Sequence, residues 1–299
     1  MKHYLSGPQR WAGFLRVLPA LLLSALLASC QSPREALQQL ADAHVRQLEI
    51  LPGQPFPLVM LAPQDTTKAS RLRVYLEGDG HAWATATQPS LDPSPRNLLV
   101  ARLAVDDPTP NAYLARPCQF VMAPACEPDL WTAQRFSQEV VTRLSQALDQ
   151  LKQRYGNREF ELVGYSGGAA LALLLAAQRD DVAQVQTLAG NLSPRLWAQM
   201  KEFSPLNGSL DPLDYQDRLA AIPQRHLVGG RDEILPAVLA KKYLARLRPP
   251  TCSQLVIFPT ANHAQGWEVS WRQWRARAPS CKSQSSSKHS QDGLASRRH

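Results

Sequence analysis

The run Gly164-Tyr165-Ser166-Gly167-Gly168 sets one serine among glycines, directly after the apolar stretch at 159–163 and directly before a small-residue and leucine segment at 167–177. A sharp strand-to-helix turn lifts one side chain above a sheet, and flanking glycines remove the Cβ clashes that such a turn creates. The start of the next helix then aims backbone N–H groups at the same point, which favours a negative oxygen forming beside the serine. The chemistry on offer is nucleophilic. A dinucleotide fingerprint is excluded, because Ser166 stands where its second glycine belongs.

A serine needs a base, and the base needs an acid to orient it. Residues 225–228 read as a strand ending in Gly229-Gly230-Arg231-Asp232-Glu233, which puts an acid at the carboxyl end of a strand, where open α/β sheets meet their ligands. Asp232 is the candidate, with Glu233 next in order; helix capping near Pro236 is the structural alternative. The other common location, after the preceding strand, holds Asn191, a neutral amide. Thirty-one residues beyond Asp232, the run at 255–258 opens into a loop carrying His263, the candidate base. His44, His226, His289 and His299 are worse placed, and His81 precedes the serine, so substrate contact is its functional reading.

These residues need a scaffold. Alternating or apolar runs at 71–76, 159–163, 182–188, 225–228 and 254–258 read as strands. Helical patterns at 95–105, 131–155, 167–177, 237–247 and 267–276 fall between or after them, the second ended by Gly156-Asn157. Two short runs at 47–51 and 57–61, bordered by proline and glycine, read as edge strands, and 113–121 as a further strand. Residues after Cys30 to about 43 suit a polar helix or tether. Strands alternating with helices imply an α/β fold, a mostly parallel central sheet with helices on both faces. The stretch between Leu188 and Arg225 can supply only a small cap, with pieces near 191–200 and 211–221.

The 299 residues are 44% hydrophobic and 19% charged, enough to bury a large core and inconsistent with wholesale disorder. The net charge of +8 is concentrated at the ends: residues 1–29 carry +3 and residues 282–299 another +3, leaving +2 between them. A nucleic-acid groove is not indicated. Residues 1–16 are basic, 17–28 are apolar, and Ser29-Cys30 follows. Twelve apolar residues are too few to span a bilayer and suit a secretory signal. Leu27-Ala28-Ser29-Cys30 resembles the lipobox of bacterial lipoproteins, which implies cleavage before Cys30, its lipidation and a membrane anchor; Gln31 at the next position implies the outer membrane, facing the periplasm. The alternative is an ordinary cleaved signal with a chance cysteine. Four cysteines then remain for two disulfides. Of three connectivities, local closure favours Cys118–Cys126 and Cys252–Cys281. No Cys-x-x-Cys occurs, so zinc and redox readings are weak. The expected division is a signal at 1–29, a tether or helix at 30–55, one catalytic domain at 56–281 and a disordered basic tail at 282–299.

The order Ser166, Asp232, His263, each at a strand end, is similar to the α/β-hydrolase superfamily over residues 56–277. The resemblance implies a serine nucleophile, no cofactor or metal, and an oxyanion hole built from the Gly167 N–H and a second N–H after an early strand. Where the commoner signature has His-Gly, this chain has Glu77-Gly78-Asp79-Gly80, so the second donor is Asp79 or Gly80. The sequence Glu77-Gly-Asp-Gly-His-Ala-Trp83 and the later Arg116-Pro-Cys-Gln-Phe120 resemble a group of exported bacterial lipoprotein hydrolases. Two carboxylates beside a site for negative charge are electrostatically unfavourable. Glu77 is therefore expected to turn inward onto the loop, and Asp79 to face solvent or a cationic substrate group, so that Asp79→Ala would alter substrate preference more than turnover. Trp267, Trp271 and Trp274 share one helical face, which suits packing; Trp83, Trp267 and His81, close to the site residues, are candidates for lining the pocket, and Tyr165 for packing beneath the serine. The expected reaction is hydrolysis of a small carboxylic ester or thioester. The alternatives are amide or peptide hydrolysis on the same residues, and a non-catalytic binding lipoprotein on the same fold.

Overall fold

The computed structural model describes residues 3, 31–63, 69–247, 252–279 and 281. The signal at 1–29 (apart from His3), Cys30 and the tail from 282 lie outside the described residues.

Eight strands form one sheet in the order β1-β2-β4-β3-β5-β6-β7-β8. They are β1 (Arg46–Leu51), β2 (Leu58–Pro63), β3 (Arg71–Leu76), β4 (Asn111–Leu114), β5 (Glu159–Tyr165), β6 (Val182–Leu188), β7 (Gln224–Gly229) and β8 (Ser253–Phe258). From β4 to β8 every neighbouring pair is parallel, while β2 is antiparallel to both β1 and β4. The helices among the described residues are α1 (Pro33–Ala43), α2 (Leu99–Val105), α3 (Gln138–Tyr155), α4 (Gly167–Gln178), α5 (Pro194–Met200), α6 (Gln216–Ala221), α7 (Ala237–Leu244) and α8 (Trp267–Trp274). They cover both faces, giving two cores. Leu144, Leu148 and Leu151 of α3 pack with α4 and Tyr243 of α7 on one side. Leu37 of α1, Leu99 and Leu103 of α2, and Trp267 and Trp271 of α8 pack on the other.

Local chemistry sets the ends of the elements. The Ser137 hydroxyl accepts from the Val140 N–H and caps α3, and Gly156 ends it in the left-handed region at φ 65°. The helix expected from 131 therefore starts at 138, after a separate 3-10 turn at Pro128–Trp131. The strand expected over 113–121 ends at Leu114, because Cys118 and Phe120 take positive φ and turn the chain back. Residues 33–43, expected as a polar helix or tether, form α1 with Leu37 and Ala41 fully buried, and the edge strand expected at 47–51 is β1, paired along its whole length with β2. β2 is accordingly an interior strand. Two disulfides, Cys118–Cys126 and Cys252–Cys281, close the arm after β4 and join the start of β8 to the segment after α8.

Candidate active site

Ser166 sits between β5 and α4 at φ 51°, ψ −123°, a conformation that costs a non-glycine residue free energy and persists only where its surroundings enforce it. The enforcement comes from close packing of the turn on the end of β3. A Cβ at Gly168 would lie 2.4 Å from the Leu76 carbonyl oxygen and 2.6 Å from that of Glu77. The Ser166 N–H donates to the Leu188 carbonyl at 3.1 Å, and its own carbonyl accepts from Asn191 N–H at 2.9 Å, which ties the turn to the end of β6.

His263 and Asp232 reach the serine from the neighbouring strand ends. His263 Nε2 lies 3.1 Å from Ser166 Oγ, and His263 Nδ1 lies 2.9 Å from Asp232 Oδ2. An ionised carboxylate can only accept, so Nδ1 carries the proton and Nε2 is left to accept from the serine. Asp232 is 3% exposed, and its other oxygen accepts from the N–H groups of Ile234 at 2.9 Å and Leu235 at 2.8 Å. Glu233, next in order as the acid, is exposed. The loops after β7 and β8 are joined by the Arg231 N–H, which donates to Ala261 O at 3.0 Å.

Two side chains fix the histidine loop from behind. Tyr165 OH donates to the His263 carbonyl at 2.8 Å, and its ring lies 5.4 Å from the imidazole. Trp267 Nε1 donates to the carbonyls of Asn262 and His263, both at 3.0 Å. Trp267 is 0% exposed, which corrects its expected place in the pocket wall: it buttresses the His263 loop. Trp271 is also buried and donates to Tyr75 OH at 2.7 Å. Trp83 is 40% exposed and bridges to Pro89, and His81 donates its backbone N–H to Pro93. Among the described residues neither side chain hydrogen-bonds to the three site residues.

In the turn after β3, Glu77 points inward as expected. Its oxygens accept from the Gly78 N–H at 2.8 Å and from Tyr113 OH at 2.9 Å. Burial pushes its carboxyl up to about 7, with the Gly78 N–H, Tyr113 and Arg116 opposing. The expectation for Asp79 is corrected. Its carboxylate is only partly exposed, and the guanidiniums of Arg116 and Arg135 occupy both oxygens in place of a substrate cation. Burial disfavours its charge, yet Arg135 and Arg116 outweigh burial and hold the carboxyl below its ordinary range. Among the described residues the backbone N–H groups of Asp79, Gly80 and Gly167 have no protein acceptor. Asp79 and Gly167 are in contact, since a Cβ at Gly167 would lie 1.9 Å from Asp79 Oδ1. Arg116 and Arg135 themselves escaped sequence reasoning; the Arg116-Pro-Cys-Gln-Phe run was visible as a pattern without a role.

A cap of modest size stands at the rim. Trp197 of α5 donates to the Ile234 carbonyl at 3.1 Å, and Lys201 to that of Glu233 at 2.5 Å. A cavity of about 260 Å³ lies on α5 away from the triad, lined by Pro194, Ala198, Phe203, Leu206 and Leu210 among others. Among the described residues no group of three or more His, Cys, Asp or Glu side chains is arranged to hold a metal ion.

No family model matches the chain, and no curated protein matches it. Solved structures do. An α/β serine hydrolase homologue from Coxiella burnetii superposes with a TM-score of 0.55 at 16% identity, covering 78% of this chain and 97% of that one. An esterase of Pyrococcus furiosus gives a TM-score of 0.55 at 12% identity, over 79% and 92% of the two chains. A proline iminopeptidase-related protein from Thermus thermophilus gives 0.55 at 16%, over 78% and 98%. Sheet order, the strained serine turn and these superpositions agree on one architecture, and the chain has the α/β-hydrolase fold.

Proposed function

We propose that the chain is a serine hydrolase of carboxylic esters or thioesters. The observation that carries this reading is the hydrogen-bonded line from Ser166 Oγ through His263 to Asp232, standing at the amino end of α4. Ser166 Oγ attacks the substrate carbonyl carbon while its proton passes to His263 Nε2. Asp232 stabilises the imidazolium through the Nδ1–H bond. The carbonyl oxygen, now negative, is held by the Gly167 N–H and a second N–H from Asp79. His263 then delivers the proton to the departing alkoxide or thiolate, and the acyl group stays on Ser166. Water attacks the acyl-enzyme with His263 again as base, releasing the acid and restoring the serine. An ester asks less of the acid step than an amide, because an alkoxide leaves more readily than an amine anion; the preference for ester over amide rests on that difference.

Export is part of the proposal. The segment ending at Cys30 would be a lipoprotein signal that leaves the domain anchored by lipid, at the outer membrane on the periplasmic side. Two disulfides support this, since they persist in oxidising compartments.

The test is labelling with a fluorophosphonate, followed by a panel of p-nitrophenyl esters of rising chain length with one arylamide. Wild type reacts and hydrolyses esters of the panel faster than the arylamide, while Ser166→Ala does neither. Folded wild type that takes no label and cleaves no ester would overturn this reading and favour a binding protein on the same fold.

A further inference from the structure

The turn after β3 and the arm after β4 hold charged side chains that the triad does not use. Asp79 Oδ2 accepts from Arg135 Nη1 at 2.7 Å, and Oδ1 accepts from Arg116 Nη1. Both guanidiniums are buried, at 5% and 4% residue exposure, and each is anchored on backbone. Arg116 Nη2 donates to the Arg135 carbonyl, and Arg135 Nε to that of Thr132. Gln119 links the two segments: its Nε2 donates to Gly78 O at 3.0 Å, and its Oε1 accepts from Arg116 N–H at 3.0 Å. Cys118 and Phe120, on either side of Gln119, stand at φ 67° and 62°, and the Cys118–Cys126 disulfide closes the arm around them.

This assembly bears directly on the donor pair. The Asp79 side chain is wedged between two cations and the first residue of α4, so the peptide that carries the Asp79 N–H cannot rotate without pulling a carboxylate out of two ion pairs. The sign of the local charge matters as well. A lone carboxylate touching Gly167 would repel an oxyanion formed there, whereas two guanidiniums and one carboxylate leave a net positive cluster.

We propose that Arg116 and Arg135 are positioning residues for the oxyanion hole: they lock Asp79 so that its N–H and that of Gly167 converge on one oxygen, and their charge overrides that of the Asp79 carboxylate. The proposal rests on the serine-hydrolase reading above. It joins the Glu77-Gly-Asp-Gly and Arg116-Pro-Cys-Gln-Phe runs into one device, the second holding the first. A purely structural ion pair would influence folding and leave the ratio of transition-state to ground-state binding alone.

The experiment measures kcat and KM for p-nitrophenyl acetate, and the inhibition constant of a phenyl trifluoromethyl ketone, whose adduct with Ser166 carries an oxyanion. Wild type, Ser166→Ala, Arg135→Gln and Arg135→Lys are compared, with circular dichroism to establish folding. Arg135→Gln is expected to lower kcat by roughly 10- to 100-fold with KM changed less than about 3-fold, and to weaken the ketone by the same factor as kcat. Arg135→Lys, which keeps the charge and loses the second anchor, recovers part of both. A folded Arg135→Gln with unchanged kcat, or with kcat lowered and ketone affinity intact, overturns the proposal while a dead Ser166→Ala leaves the serine reading standing. Hydrolysis by Ser166→Ala at the wild-type rate overturns both. Should Arg135→Gln not fold, Arg135→Lys carries the test alone: parallel losses in kcat and ketone affinity support the proposal, and wild-type values for both overturn it.

Discussion

Arg73 and Arg135 are both buried arginines paired with an aspartate, and they do opposite things with their surroundings. Arg73, on β3, donates to Asp107, to Glu161 on β5 at 3.0 Å and to the Arg275 carbonyl at 2.7 Å. Glu161 accepts from Gln186 on β6 at 2.7 Å, Gln186 accepts from Arg225 on β7 at 2.9 Å, and Arg225 donates to Gln254 on β8 at 3.2 Å. This polar ladder crosses five strands and ends on the carbonyls of Arg277 and Ala278 after α8. Apart from Arg73 Nε, its buried side-chain donors and acceptors are met by protein. At the strand ends around Ser166, by contrast, the N–H groups of Asp79 and Gly167 have no protein acceptor among the described residues. Buried charge is common to both places. Backbone N–H groups without a protein acceptor belong to one, in the turns next to Ser166, and such unmet capacity is expected of a site rather than a staple.

Asp232→Asn should separate the two regions most sharply. The asparagine favours the wrong imidazole tautomer, so kcat should fall by about 10⁴-fold while the denaturation midpoint hardly moves. Steady-state kinetics on a purified, folded variant would check this, and a variant within tenfold of wild type would remove Asp232 from the reaction. Glu161→Ala makes the reverse cut. It leaves Arg73 and Gln186 without their shared partner in the interior, at a cost of about 3–5 kcal/mol in urea unfolding, with kcat of the folded fraction unchanged. A loss of kcat there would erase the distinction between ladder and site.

Glu77 lies between these extremes, a buried carboxyl that belongs to the site's own turn. Because burial raises it to about 7 in the folded chain, folding favours its protonated form. The stability this confers is full below the ordinary carboxyl value of 4.5 and is lost as pH rises through about 7. The swing is at most about 3 kcal/mol. Unfolding measured from pH 4 to 9 should show that decline in wild type and lack it in Glu77→Gln; equal slopes would mean that Glu77 is not the titrating group.

Much of the site was legible in the sequence because its parts are local. Gly164-Tyr-Ser-Gly-Gly168 between an apolar run and a leucine-rich helix leaves few other conformations, and Asp232 and His263 each follow a strand end. The disulfides followed from short loop closure. What stayed hidden is contact across distance. Nothing near Asp79 announces Arg116 or Arg135, which lie 37 and 56 residues away in the chain and meet it only once β3 and β4 are paired. The same applies to Trp267: spacing placed it on a helix face, but only the fold turned its indole N–H onto the carbonyls behind His263. The run at 57–61 misled for a third reason: its own residues do not say whether a further strand will pair outside it, as β1 does.

Residues 167–176 of α4 are all buried, so the helix that begins beside Ser166 is apolar on every side. Amide hydrogens in its inner turns are expected to be among the slowest in the domain to exchange with deuterated solvent. Ser166 is thereby mounted on a helix that cannot loosen without opening the core itself, whereas Asp232 and His263 stand on loops that can move without it.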